Sequence, residues 1–189
     1  MITVYIKKIE SISEYEQQSI INSLSASALK RLNNKKNEQL HLASLCALSL
    51  LSDEQRKNLD YNENGKPSFS TLDSEISISH SATLAAIAIS NSKLSCVGVD
   101  VEDICASRVS SRFLTENEKP FATDANSFIS IWTKKEALFK FLKNDSTPFI
   151  QLDSTQPQKH NARFVTVRIE NSILTVCAHE NEKIEIVQK

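Results

Sequence analysis

The sequence predicts an α/β (α+β) protein of two similar half-domains in pseudo-twofold arrangement, each a small, mainly antiparallel sheet packed on helices. Three observations carry this. Apolar residues alternate with period two in several short runs, and longer stretches between them have helical spacing. The order strand, helices, hairpin occurs twice, in residues 1–92 and again in 93–189, without evident residue identity between the halves. Finally, 189 residues with 40% hydrophobic and 24% charged side chains suffice for one compact globular unit with a sizeable core.

The elements follow in order. "ITVYIKKI" opens the chain with Ile2, Val4 and Ile6 at strand period. Apolar residues from 20 to 51, broken by "NNKKN", suggest two or more helices, and "NENGKP" marks a turn. The most apolar run, residues 40–51, is shorter than the roughly 20 residues a bilayer span needs. It reads as a buried helix. Ile76 and Ile78, then Ile87 and Ile89 after a break at "HSAT", predict a hairpin. The second half opens on a strand carrying Val97, Val99 and Val101, continues as helix over about 107–143, and closes with a hairpin, "RFVTVRIE" and "SILTVCAH".

Charge narrows the function. With 22 basic and 23 acidic residues the net charge is −1, giving no global reason to bind nucleic acid or an anionic membrane. Any phosphate site must be local. Cys46, Cys96, Cys105 and Cys177 lie singly, without metal-type spacing, and "MITVYIKKIE" lacks a signal-like apolar stretch, so cytoplasmic localisation with reduced thiols is expected.

Gly65 and Gly98 are the only glycines, and a chain this sparing uses glycine for geometry, either as plain punctuation or beside a site. Gly98 precedes "DVE", where Asp100 and Glu102 project to one face of a strand, opposite the valines. Two crowded carboxylates are either an exposed acidic strand end or oxygen ligands for a cation such as Mg²⁺. In "SFISIWTKKEALFKFLK", Glu136 and Lys140 are i and i+4 on a helix, which makes a surface ion pair or brings a third carboxylate and phosphate-binding lysines, Lys135 and Lys140, to that cation. His80, in "SHS", and Lys66, in "GKP", are either structural or donors to a phosphate.

Taken together, "NGKPSF", "ISISHS", "GVDVE", "RFLTENE" and "WTKKEALFK" occur in the order and at about the spacing of 4′-phosphopantetheinyl transferases of the larger pseudo-dimeric type. The resemblance covers residues 61–143 with high specificity and the remainder loosely. It implies transfer of phosphopantetheine from coenzyme A to a serine of an acyl, peptidyl or aryl apo carrier protein, with release of adenosine 3′,5′-bisphosphate. By similarity Asp100, Glu102 and Glu136 hold Mg²⁺, Lys135 and Lys140 bind phosphates beside it, and His80 and Lys66 contact phosphates at the adenosine end. Glu118 or Glu136 acts as general base, and the sequence does not choose between them.

A monomer is implied, because the seam smaller relatives make between subunits would lie within one chain. Arg108, Arg112, Phe113 and Leu114 are the expected carrier-docking surface. One departure concerns the helix at 40–51, which lacks an arginine common in the family; Lys30, Arg31, Lys35 or Lys36 would have to substitute. Two rivals remain. A Mg²⁺-dependent nuclease lacks the basic stripe a polyanion needs, and a degenerate coenzyme A-binding module would be favoured by loss of a metal carboxylate, none of which is lost.

Overall fold

The computed structural model describes residues 1–105, 110–143 and 147–189. Four short helices, α1 (Glu14–Ser23), α2 (Ala26–Asn33), α3 (Glu38–Ser49) and α4 (Asp53–Asn58), form the outermost layer on one side. Each begins at a side-chain cap, in turn Ser13, Ser25, Asn37 and Ser52, whose oxygen accepts a first-turn N–H that the helix itself leaves unsatisfied. Their apolar faces, through Ile20, Leu32, Leu45 and Leu48, pack with Ile76, Ile87 and Ile89 on the first sheet.

That sheet has the order β4-β5-β1-β9, with β1 at Ile2–Lys8, β4 at Ile76–His80, β5 at Leu84–Ser90 and β9 at Ile184–Gln188. Strand β5 is buried on both faces: Ala85, Ile87 and Ile89 meet the helices, and Leu84, Ala86 and Ala88 meet the second sheet. The second sheet, β6 (Val97–Asp103), β7 (Ala162–Ile169) and β8 (Ser172–His179), has the order β6-β8-β7. Both halves therefore share one antiparallel plan, since β4 and β5 form a hairpin with β1 beside β5, as β7 and β8 do with β6 beside β8. The predicted valine face of β6 joins Ile2, Val4 and Ile6 in the core between the sheets. The long helix α5 (Ala125–Leu142) covers the opposite face of the second sheet.

Three features differ from the sequence expectation. A two-stranded ladder, β2 (Leu59–Tyr61) with β3 (Pro67–Phe69), brackets the "NENG" turn. Strand β9 pairs in parallel with β1, Ile2 opposite Ile184, so the last strand joins the sheet of the first half rather than following the second hairpin. The stretch read as helix over 107–143 contains 3₁₀ turns at Ser111–Phe113 and Lys119–Phe121 before α5, which starts only where Asp124 and Ser127 form a reciprocal capping box. Residues 106–109, and with them Arg108, lie outside the described residues. No described helix is long and apolar enough to cross a membrane.

Candidate active site

The site is built where α5 lies on β6. Gly98, Asp100 and Glu102 share the strand face turned toward this helix, and Gly98 lets the two backbones touch. A Cβ on Gly98 would stand 2.8 Å from the Phe141 nitrogen, 2.9 Å from the Ala137 carbonyl carbon, and closer still to the Ala137 oxygen. The close approach is thus between strand and helix of the second half.

One turn of α5 away, Lys140 reaches back to the strand, its Nζ 2.6 Å from Asp100 Oδ1 and 3.0 Å from the Val99 carbonyl. Asp100 is 4% exposed. Its Oδ1 also accepts from Ser79 Oγ of β4 at 2.7 Å, whereas Oδ2 is buried with no hydrogen-bond partner. Glu136, half-buried on the same helix, has its carboxyl pushed up from the usual carboxylate range by burial and then by the Asp100 charge, against the pull of Lys140. Glu102, two residues further along the strand face, lines an apolar hollow with Phe113, Phe128 and Trp132. Among the described residues no three His, Cys, Asp or Glu side chains stand close enough to form a finished metal cage. The donor set nevertheless fits a hard divalent cation, because an orphaned buried carboxylate oxygen and a second, mutually repelled carboxyl are both relieved by one.

Lys135 and Glu118 are bound to each other. Both are fully buried, and Lys135 Nζ lies 2.9 Å from Glu118 Oε2 and also donates to the Leu152 carbonyl. Glu118 further accepts from the Thr115 and Ser154 N–H groups at 2.8 Å each, so its oxygens are occupied. A general base must reach the proton it takes, and a phosphate ligand must reach the phosphate. As placed, each answers the other, and the pair ties the segments at 115–118 and 152–154 to α5. Leu114, expected on a docking surface, is also buried, packed with Phe128 and Ile131. Phe113 is half-buried, under the Arg112 guanidinium and against Trp132.

The remaining predicted residues line a cationic groove. A cavity of about 250 Å³ between α2, α3 and β4 is walled by Arg31, Lys35 and His80 with no carboxylate among its described lining. His80 is held below its ordinary pKa by burial, then by the Lys35 and Lys140 charges. A second cavity, of about 780 Å³, shares Arg31 and Gly65 with the first and carries Lys66, Lys140 and Lys143. Helix α3 contributes Ser44, Ala47 and Leu48, and the cations of this wall are Arg31 and Lys35.

Sequence reading gave Arg31 only as a substitute and did not single out Tyr61, which holds it. The guanidinium lies 4.7 Å from the Tyr61 ring centroid, and a Cβ at residue 65 would be 2.5 Å from its Nη1. Gly65, at φ +76°, thus serves twice, as a left-handed turn and as a seat for Arg31.

Lys66 donates to the Lys140 carbonyl at 3.2 Å, and burial followed by the Lys143 charge lowers its pKa to about 8. An anion touching Lys66 favours the ammonium form, so its binding is strongest below pH 8 and weakens as pH rises through that value. Calorimetric titration with inorganic pyrophosphate between pH 7 and pH 9.5 should show this step, and Lys66→Arg should abolish it. An unchanged step in that variant would remove Lys66 from the groove's ligands.

The family model of the 4′-phosphopantetheinyl transferase superfamily matches residues 96–187, which include β6, α5 and the Asp100, Glu136 and Lys140 cluster. Over these residues the chain is similar to that superfamily. A search of curated proteins found no match to the chain.

Proposed function

We propose that this chain transfers the 4′-phosphopantetheine group of coenzyme A to a serine hydroxyl of an acyl, peptidyl or aryl carrier protein, with Mg²⁺, in the manner of the larger pseudo-dimeric transferases. The observation that carries the reading is the Asp100, Glu136 and Lys140 cluster, within the residues that match the superfamily, opening beside a groove lined by Arg31, Lys66 and Lys143. Arg31, Lys35 and His80 take the 3′-phosphate end of the coenzyme, and Lys66 and Lys140 take its diphosphate. Asp100 and Glu136, with Glu102 on the same strand face, would hold Mg²⁺, which supplies positive charge as the leaving group gains negative charge.

In the transfer, the carrier serine oxygen bonds to the phosphorus that bears pantetheine. The bond from that phosphorus to the bridging oxygen breaks, and its electron pair leaves with adenosine 3′,5′-bisphosphate. Glu136 receives the serine proton. Glu136 is half-buried at the open cluster, whereas Glu118 is sealed by Lys135.

The test is intact mass of a panel of apo carrier proteins after incubation with this protein, coenzyme A and Mg²⁺. Gain of one phosphopantetheine is expected, reduced about 10²–10³-fold in rate by Asp100→Ala, as for other losses of a group that stabilises transition-state charge. No gain on any carrier, with coenzyme A still bound, would leave a binding module instead of a transferase.

A further inference from the structure

The alternation in "ISISHS" has a second face. Ile76, Ile78 and His80 point to the helices and the groove, and Ser77, Ser79 and Ser81 point the other way, to β6. Strands β4 and β6 are each at the edge of their own sheet and exchange no ladder hydrogen bonds. An edge strand this deep leaves N–H groups without partners, which is costly. The serines meet that need. Ser77 Oγ accepts the Val99 N–H at 3.0 Å and Ser79 Oγ the Val101 N–H at 3.4 Å, while Ser81 Oγ donates to Asp103 Oδ1 at 2.8 Å. Asp103 also accepts from Thr83 and Ser172 hydroxyls at 2.6 Å each and from the Ala82 N–H at 3.0 Å. The register of β4 on β6 is therefore held on both sides of Ser79.

Ser79 does something Ser77 does not, since its hydroxyl proton goes to Asp100 Oδ1. That oxygen then has two donors, Ser79 and Lys140, and the other has none. We infer that Ser79 is a positioning residue, which holds Asp100 Oδ1 so that Oδ2 is kept free for a divalent cation. Without the Ser79 hydroxyl the carboxylate turns to share both oxygens with the Lys140 ammonium, which then competes with the cation. This rests on Asp100 being a cation ligand, as in the proposed function, but its readout is cation affinity rather than transfer.

Mn²⁺ binding to the full chain, with and without coenzyme A, is measured by electron paramagnetic resonance alongside thermal melting. Ser79→Ala should raise the Mn²⁺ Kd about tenfold, the size usual for loss of a partner that orients a metal ligand. Ser79→Thr, which keeps the hydroxyl, should restore it. Ser77→Ala loses a seam hydrogen bond too, so it should melt like Ser79→Ala yet keep the wild-type Kd. Equal loss of affinity in both alanine variants, no loss in Ser79→Ala, or no Mn²⁺ binding by the wild type would each overturn the inference. Wild-type binding with no transfer to any carrier would instead sink the transferase reading and leave the role of Ser79 standing.

Discussion

Glu118→Ala is expected to lower stability by about 3–5 kcal/mol, the usual cost of leaving one partner of a buried ion pair without its counter-charge. The reason is the completeness of the pair's burial. Both side chains are 0% exposed, and the carboxylate answers the Lys135 ammonium and two backbone N–H groups at once. For a chain of this size the loss corresponds to a fall in Tm of about 6–20 °C. The same experiment decides between the two carboxylates as base. Glu136→Gln, at a half-buried position beside Asp100, should melt close to the wild type and lose carrier modification, whereas folded Glu118→Ala should retain turnover at low temperature. If Glu118→Ala kept its Tm and lost turnover, Glu118 would have to be returned to the chemistry.

How far the sequence could be read depended on whether a residue's role was local. The valine face of β6 and the opposed Asp100 and Glu102 follow from a period of two, and Glu136 with Lys140 from a period of 3.6. Lys135 was open to the same reasoning. It continues the spacing Phe128, Ile131, Lys135, Leu138, which is the buried stripe of α5, and it is as buried as its neighbours in that row. Its chemistry as a lysine outweighed its position. Alternation places the serines of β4 together on one face and does not say what covers them. Parallel pairing of β9 with β1 joins residues at opposite ends of the chain, and no local pattern announces it. Arg31 needed its seat, and that seat is made by Tyr61 and Gly65, thirty-odd residues on.

Gly98→Ala should cost at least about 3 kcal/mol, at the upper end of what overpacking usually costs, because the atoms in the way belong to the backbone. A crowded side chain can change rotamer. The Ala137 carbonyl and the Phe141 nitrogen, at 2.9 and 2.8 Å from the added carbon, can yield only if α5 moves as a body. Such a shift separates Lys140 and Glu136 from Asp100, which the helix brings to 2.6 Å through Lys140. Stability and catalysis should therefore fall together, in contrast to Asp100→Ala, which should lose transfer and keep most of its Tm. Thermal melting of both variants beside the carrier-modification rate makes the comparison. A Gly98→Ala protein with wild-type Tm and wild-type rate would mean that α5 does not rest on β6 at this point, and the geometry of the cluster would have to be redrawn from there.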